Sequence, residues 1–203
     1  CSALINNRSL ASEIIRATQE GAGDLPVSVK TRIGYATIVT EDWISFLLEH
    51  NLQALTIHGR TAKEMSLVPA HWDEIAKGVA IRNQLKKPTI IIGNGDVQSR
   101  AEALTKVSQY GVDGVMIGRG IFHNPYLFAT ENNWQDQSPE EKISLLKTHV
   151  RLFDTIWQGK KHFPIMKKYV KIYVSGFNGA SELREKLMRT HTAKEMVEYL
   201  DSL

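Results

Sequence analysis

Four short apolar or β-branched runs, each ending in a polar or glycine-containing motif, constrain the fold of this 203-residue chain most strongly. Helix-like stretches separate the runs, whose centres lie at residues 29, 57, 91 and 116. This alternation predicts repeated right-handed βα units of a parallel sheet or barrel. The runs and their motifs are Val27–Val29 with Lys30-Thr31-Arg32, Leu55–Ile57 with His58-Gly59-Arg60, Thr89–Ile92 with Gly93-Asn94-Gly95-Asp96, and Val115–Ile117 with Gly118-Arg119-Gly120.

Helices are predicted between the strands because apolar residues recur there at spacings of three and four. Thr40 and Ser99 are expected to cap two of these helices by accepting a backbone N–H. The predicted helices are Ser9–Gln19, Thr40–His50, His71–Leu85 and Ser99–Tyr110.

After Trp134 only helical patterns remain. Ser138-Pro139-Glu140-Glu141 combines an N-cap, a proline at the first helical position and a capping-box glutamate. Further helices are predicted at about Ile165–Ser175, at Ser181–Arg189 and from Thr192 onward. We therefore predict a β/α domain over residues 1–137 and a small all-α bundle over residues 138–203.

Four strands are too few to close a (β/α)₈ barrel, which typically has about 250 residues. The barrel interpretation thus predicts half a barrel, with an N-terminal portion missing from these 203 residues, because an isolated half exposes strand edges and an apolar inner face. A complete open α/β sheet of four strands is the alternative that the sequence leaves open.

Composition argues against several classes of protein. No apolar run approaches the roughly 18 residues of a membrane span, and the first residues do not resemble a signal peptide. The single cysteine cannot form an intramolecular disulfide. We expect a cytoplasmic protein that does not enter a membrane. Zinc-type Cys/His spacings, a Walker loop and a Gly-x-Ser-x-Gly elbow do not occur, so neither a metal site nor a serine hydrolase is expected.

Positive charge is concentrated in the C-terminal third. The first 137 residues contain 13 Lys+Arg and 14 Asp+Glu, whereas the remainder contains 12 and 8. A lysine-rich stretch without acids can bind a phosphate backbone, although a solvated helix face is the commoner meaning of such a run. The lysines of this stretch are Lys160, Lys161, Lys167, Lys168 and Lys171.

The glycine motifs after the third and fourth strands are candidates for a phosphate site. Glycine lets backbone N–H groups approach a phosphate, and in (β/α)₈ barrels the loops after the last two strands frequently bind one. Arg119 would add forked hydrogen bonds. Either motif alone would indicate an ordinary tight turn, and the two in succession favour the phosphate site.

The first two strand ends carry candidate ligand contacts. Lys30 follows an apolar strand, which suggests an anionic or electron-rich ligand unless it is simply a surface lysine. His58 could donate to a ligand carbonyl or shuttle protons, or it could be a structural histidine. Arg32 and Arg60 follow Lys30 and His58 at the same offset and would form a basic rim.

In this order, and together with Asn124-Pro125, the four motifs resemble the flavin-dependent tRNA-dihydrouridine synthases. The resemblance covers nearly the whole chain. It implies a (β/α)₈ barrel that binds FMN, with the strands here as the fifth to eighth, followed by a helical domain that helps to hold tRNA. The implied reaction reduces the C5=C6 bond of a uridine in tRNA: NADPH reduces FMN, the flavin passes hydride to C6, and a cysteine protonates C5.

Site residues follow from the resemblance one by one. Lys30 and His58 would contact the flavin ring or ribityl chain, and Arg32 and Arg60 would lie near the uridine or the RNA backbone. The lysines of the C-terminal third would grip tRNA phosphates. The residues that would surround the ribityl phosphate are Asn94, Gly95, Asp96, Gly118 and Arg119.

One departure from the family concerns catalysis. The family's catalytic cysteine lies in a Gly-Cys-Pro motif, which does not occur here, and we interpret Cys1 as non-catalytic. We expect these 203 residues alone to lack uridine reduction activity and to bind FMN weakly or not at all. Two other functions stay open: a dihydroorotate-dehydrogenase-like barrel that binds FMN or phosphate, and an RNA-binding protein on a degenerate barrel.

Overall fold

The computed structural model describes residues 2–130 and 134–203, and the chain divides into two compact units, Cys1–Gly120 and Ile121–Leu203. The division falls earlier than the predicted boundary near Gln137, because Tyr126 and Trp134 pack with the helices that follow them. Within the described ranges, no helix is both long and apolar enough to cross a membrane.

The first unit alternates helices with strands, as the apolar runs predict. Its strands form one all-parallel sheet in the order β1-β2-β3-β4, so each strand lies beside the next one in the chain. The α/β class is therefore confirmed. The elements are a 3₁₀ turn (Ser2–Asn6), α1 (Arg8–Ala22), β1 (Ser28–Gly34), α2 (Thr40–Leu48), β2 (Ala54–Thr61), α3 (Trp72–Gln84), β3 (Ile90–Asn94), α4 (Arg100–Tyr110) and β4 (Gly114–Met116).

Helices cover one face of the sheet. The indole N–H of Trp43 in α2 donates to Thr31 Oγ1 at 2.8 Å. The ring of Trp72 in α3 lies so close to Gly93 that an added Cβ would be 2.5 Å from it. These contacts fix α2 and α3 against β1 and β3 and bury the apolar side chains between them.

The opposite face of the sheet is open. Side chains alternate along a strand, so this face carries Lys30, His58 and their register neighbours. Ile90 and Met116 on it are 48% and 37% exposed. Parallel sheets are usually covered on both faces, so the exposed side chains mark this side as the one available to other groups.

Helix starts differ in one case from the prediction. Ser99 caps α4 by accepting the N–H of Glu102, as predicted. Thr40 does not cap α2: it is already the first residue of the helix, and Val39 occupies the cap position. Its hydroxyl instead donates to Glu74 Oε2 of α3 at 2.6 Å, a contact that links the two helices.

The regular elements described in the second unit are helical. The capping box at Ser138 forms as predicted. The single helix predicted at Ile165–Ser175 is wrong, because around Tyr169 the backbone bonds run between residues three apart and break the helix in two. A 3₁₀ turn at Arg119–Phe122 spans the division between the units. The elements that follow are a 3₁₀ turn at Trp134–Asp136, then α5 (Pro139–Trp157), α6 (Pro164–Lys167), α7 (Val170–Tyr173), α8 (Ala180–Arg189) and α9 (Ala193–Asp201).

Candidate functional site

The register of the sheet aligns the predicted site residues in rows across its open face. Arg32 pairs with His58, His58 with Asn94, and Asn94 with Met116. Two residues earlier along β1 and β2, and on the same face, Lys30 lies beside Thr56. Lys30 and Asn94, which are 64 positions apart in the chain, thus share one edge of the sheet. Parallel strands end at this edge, and α/β proteins place their ligands there.

Cations dominate the first part of this edge. In the described part of the chain, neither Lys30 nor Arg32 forms an ion pair with a carboxylate. Burial and the neighbouring Arg32 charge lower the pKa of Lys30. Arg32 also donates Nη1–H to the Thr61 carbonyl at 2.6 Å, which fixes its guanidinium over the strand end. Because Glu64 is the one carboxylate whose charge acts on Arg32 and neither cation is ion-paired among the described residues, the positive charge here favours an anionic ligand.

His58 is neutral at the centre of the row. Burial, and next the charges of Arg32 and Lys30, lower the pKa of His58 to about 4. Its Nε2 lies 3.4 Å from Nη1 of Arg60. Because a guanidinium can only donate, Nε2 is the acceptor and the proton resides on Nδ1. His58 therefore presents one donor and no charge near neutral pH, which suits a hydrogen bond to a ligand better than attraction of phosphate.

Arg60 is placed differently from the predicted basic rim. Its side chain is only 4% exposed, and it donates Nη2–H to Asp96 Oδ2 at 2.5 Å and Nε–H to the Val68 carbonyl at 2.6 Å. With its donors engaged inside the protein, Arg60 positions Asp96 and the loop after β2. These contacts favour a positioning role over direct contact with substrate.

Hydrogen bonds from Arg60, Ala70 and Trp72 hold the loop after β3 in place. Asp96 Oδ2 also accepts the N–H of Ala70 at 2.8 Å, and the carbonyl of Gly95 accepts the indole N–H of Trp72 at 3.1 Å. Although burial raises it, the net pKa of Asp96 is lowered by the hydrogen bonds from Arg60 and Ala70 and by nearby positive charge. Asp96 is thus a fixed carboxylate anchor.

Gly95 has no room for a side chain. Its φ is +135°, and an added Cβ would lie 2.5 Å from the Ala70 Cβ and 3.3 Å from the His58 ring. Asn94 donates its amide to the Met116 carbonyl at 2.8 Å, which ties β3 to β4. The positive φ and the close approach of Ala70 and His58 therefore require glycine at position 95.

The end of β4 adds an exposed arginine beside open space. An added Cβ on Gly118 would meet no atom within 4 Å, whereas one on Gly120 would lie 2.6 Å from the Val97 carbonyl. Arg119 is exposed, and its charge contributes to the lowered pKa of Asp96. Arg119 thus lies near enough to the loop after β3 for its charge to act on Asp96.

The five lysines of the C-terminal third make different contacts. Lys167 donates to the Met188 carbonyl at the end of α8 at 2.8 Å, and Lys161 lies over the Trp157 ring at 3.7 Å. Lys168 and Lys171 line one cavity of the second unit. Lys160 is exposed. The five lysines therefore differ in their surroundings.

Sequence reasoning missed Glu64. Its carboxylate accepts the N–H of Thr61 at 2.7 Å and lies 3.0 Å from His71 Nε2, and the Thr61 hydroxyl accepts the N–H of Glu64 in return. This reciprocal pair clamps the loop after β2 at the same edge of the sheet. The Thr61-x-x-Glu64 spacing, a capping-box pattern outside a helix, is the signal that could have found it.

Two predictions involve residues outside this edge. Cys1, interpreted as non-catalytic, lies outside the described residues. Within residues 2–130 and 134–203, no group of three or more His, Cys, Asp or Glu side chains is arranged to hold a metal ion.

Comparison with known proteins gives one consistent result. Residues 1–203 match the family described as Dihydrouridine synthase (Dus). A probable tRNA-dihydrouridine synthase of Staphylococcus epidermidis is 43% identical over 203 residues, which cover 99% of this chain and 61% of the relative. The probable tRNA-dihydrouridine synthase 2 of Bacillus subtilis is 40% identical over 202 residues, 98% of this chain and 61% of the relative. The chain thus spans about three fifths of the length of these relatives.

Proposed function

The chain belongs to the dihydrouridine synthase family, and from this premise we propose that it is part of an enzyme that reduces the C5=C6 bond of a uridine in tRNA, with FMN as cofactor and NADPH as reductant. The observation that carries the proposal is the row formed by Arg32, His58 and Asn94, with Lys30 beside it, on the open face of a parallel sheet.

In this proposal β1 to β4 are the fifth to eighth strands of a (β/α)₈ barrel. Two features support it. The strands lie in chain order in one parallel sheet, and helices cover the face that carries Thr31 and Gly93 while the face with Ile90 and Met116 is exposed. A barrel needs this division, with helices outside and the inner face packed against further strands.

The residues present fit FMN. Lys30 and Arg32 supply positive charge, and neither forms an ion pair with a carboxylate of the described residues. Gly95 excludes a Cβ, Gly118 faces open space, and Arg119 lies beside the same loop. A phosphate accepted by loop N–H groups and a guanidinium, next to a neutral hydrogen-bonding imidazole, matches the two ends of a flavin mononucleotide.

Each residue has its own task in this arrangement. Lys30 and His58 would hold the flavin ring or ribityl chain, with Nδ1–H of His58 as a neutral donor. Gly95, Gly118 and Arg119 would bind the phosphate, and Asp96 with Arg60 would keep the loops in place. When bound, FMN supplies the hydride for C6 of the uridine. A target uridine must leave the base stack to reach such a site, at a cost of a few kcal/mol.

The second unit would contribute contacts to tRNA. It contains most of the excess positive charge, and Lys168 and Lys171 are exposed beside aromatic rings. Phosphate contacts of this kind fix the position of an RNA without reading its sequence. Arg32 would lie near the uridine or the RNA backbone.

These 203 residues contain a single cysteine, Cys1, and no Gly-Cys-Pro motif. We propose that they do not complete the reaction by themselves, because the acid that protonates C5 is not among them. FMN binding by these residues alone would accordingly be weak.

A chimera tests the proposed function. This chain would replace the matching 61% of the Staphylococcus epidermidis relative, and dihydrouridine would be measured by mass spectrometry in an unmodified tRNA transcript with FMN and NADPH. We expect product from the chimera, and little product when it carries Lys30→Met. Lys63→Met, at an exposed lysine in the loop after β2, is the control. A folded chimera that forms no dihydrouridine would contradict the proposal.

A further inference from the structure

The second unit contains a cavity that the flavin site does not use. Its volume is about 410 Å³, and its lining includes Phe122, His123, Lys168, Tyr169, Lys171 and Ser175. This volume lies within the range of pockets that hold small ligands, about 300–1,000 Å³. All of these residues belong to Ile121–Leu203, so the cavity is a property of this unit alone.

One wall of the cavity is aromatic. The ring centroids of Phe122 and Tyr169 are 5.8 Å apart at an interplanar angle of 57°. Tyr169 also packs on the His149 ring at 5.6 Å, and Nδ1 of His149 lies 2.8 Å from the Tyr173 hydroxyl. Tyr169 thus packs between Phe122 and His149. The ring of Phe122, by contrast, is 46% exposed. Phe122 is therefore an exposed ring at the cavity that packs at an angle on Tyr169, which in turn packs on His149.

Two lysines provide positive charge at the same cavity. Nζ of Lys168 lies 4.8 Å from the Tyr169 ring centroid, and Lys171 is exposed one helical turn further on. In the part of the chain that the structure describes, neither lysine pairs with a carboxylate, and no acidic side chain lines the cavity. The cavity therefore favours a ligand with negative charge beside a flat apolar group.

A nucleotide has these properties. Its base stacks on an aromatic ring, and its phosphate is attracted by lysines within reach of that ring. Base-paired nucleotides keep both faces of the base occupied, so only an unpaired nucleotide can use such a wall. We propose that this cavity binds one unpaired nucleotide of the RNA substrate, its base on Phe122 and its phosphate at Lys168 and Lys171. The choice of RNA over a free nucleotide rests on the proposed function.

The experiment compares two labelled single strands of equal charge by fluorescence anisotropy with the 203-residue chain: decauridine and a ten-residue abasic strand. We expect the chain to prefer decauridine. Phe122→Leu should lower the affinity for decauridine about 5- to 150-fold, towards that of the abasic strand, and leave the abasic strand unaffected. Phe122→Tyr, which keeps the ring, should bind as the unaltered chain does.

Matched controls separate the pocket from general effects. Phe128→Leu removes an exposed ring of the same unit outside the cavity, and Lys194→Ala removes an exposed lysine of α9 that lies 3.7 Å from Glu198. Neither should change binding, whereas Lys171→Ala should weaken both strands. Uridine monophosphate at millimolar concentration should compete only weakly, because it lacks the neighbouring phosphates.

Three results would overturn the inference: no preference for decauridine over the abasic strand, unchanged binding by Phe122→Leu, or an equal loss with Phe128→Leu. Strong competition by uridine monophosphate would identify a free-nucleotide site and overturn it as well. Failure of this inference can be distinguished from failure of the proposed function. An active chimera with a Phe122-independent affinity refutes only the pocket, and an inactive chimera with a Phe122-dependent affinity refutes only the enzyme.

Discussion

Nη2 of Arg60 lies 2.5 Å from Oδ2 of Asp96, and this pair joins the end of β2 to the loop after β3. The arginine is almost completely buried, while the carboxylate is 38% exposed and also accepts the Ala70 N–H. Because the pair fixes both loops, the backbone beside Gly95 is set before any ligand arrives. Preorganisation of this kind lowers the entropic cost of binding.

Replacement of Asp96 by Asn should destabilise the protein by about 1–3 kcal/mol, since it leaves the buried Arg60 charge without a counter-ion; partial exposure of Asp96 keeps the cost below that of a fully buried pair. The free energy of unfolding in urea measures this. Asp42→Asn is the control, because Asp42 lies 3.8 Å from Arg8 with 79% of its side chain exposed and should cost about 0.5 kcal/mol or less. Equal effects of the two changes would contradict the assigned role of Asp96.

His58 should make the folded protein sensitive to acid. Its pKa is about 4 when folded and about 6.5 when unfolded. Between these values the unfolded chain binds a proton that the folded chain does not, so stability falls as the pH drops through this window and is unaffected above it. We expect His58→Gln to gain stability relative to the unaltered chain from about pH 6.5 down to about pH 4. A pH-independent difference between the two unfolding energies would refute this.

Replacement by alanine should lower the stability of the protein at Gly95 but not at Gly118. Gly95→Ala forces a side chain onto φ +135° and into contact with Ala70, and should cost about 2–4 kcal/mol. Gly118→Ala meets open space and should change stability by no more than about 0.5 kcal/mol while weakening FMN binding. Thermal unfolding and flavin titration check the two effects. Loss of stability with Gly118→Ala would show that the space is not free.

Lys167 should act on the fold rather than on RNA. Its ammonium donates to the Met188 carbonyl in the last turn of α8, so Lys167→Met should cost about 0.5–1 kcal/mol. The same change should reduce tRNA affinity less than Lys171→Met does. Lys160→Met, at an exposed lysine in the same segment, is the control for stability. A larger loss of tRNA affinity with Lys167→Met than with Lys171→Met would contradict this division.

The strands and most helices could be predicted because local patterns determine them. β-branched runs, spacings of three and four, and the Ser99 and Ser138 caps all act within a few residues. Thr40 escaped prediction because its partner, Glu74, lies 34 residues away on another helix. The break at Tyr169 also escaped, since a run of helix-favouring residues does not indicate where bonds three apart replace bonds four apart.

Which residues meet at this edge of the sheet could be predicted from the sequence, but the contacts that each of them makes could not. Strand-end motifs meet at one edge in any parallel sheet, so Lys30, His58 and the glycine loops were identifiable. Arg32 and Arg60 occupy equivalent positions in sequence, yet Arg60 finds Asp96 36 residues away and is buried. Likewise, the sequence does not distinguish the five lysines of the C-terminal third. Lys167 differs from the others because its ammonium donates to the Met188 carbonyl of α8, a contact that only the folded structure shows.

The most direct test of the account is an FMN titration of the ¹⁵N-labelled chain followed by amide chemical shifts, with riboflavin at the same concentration as the comparison. Because the loops after β3 and β4 are assigned to the phosphate, FMN should shift the amides of Asn94, Gly95, Asp96, Gly118 and Arg119 even at weak affinity. Riboflavin, which lacks the phosphate, should leave them largely unchanged. A folded chain whose loop amides respond equally to both compounds, or to neither, would contradict the assignment of this edge to the flavin phosphate.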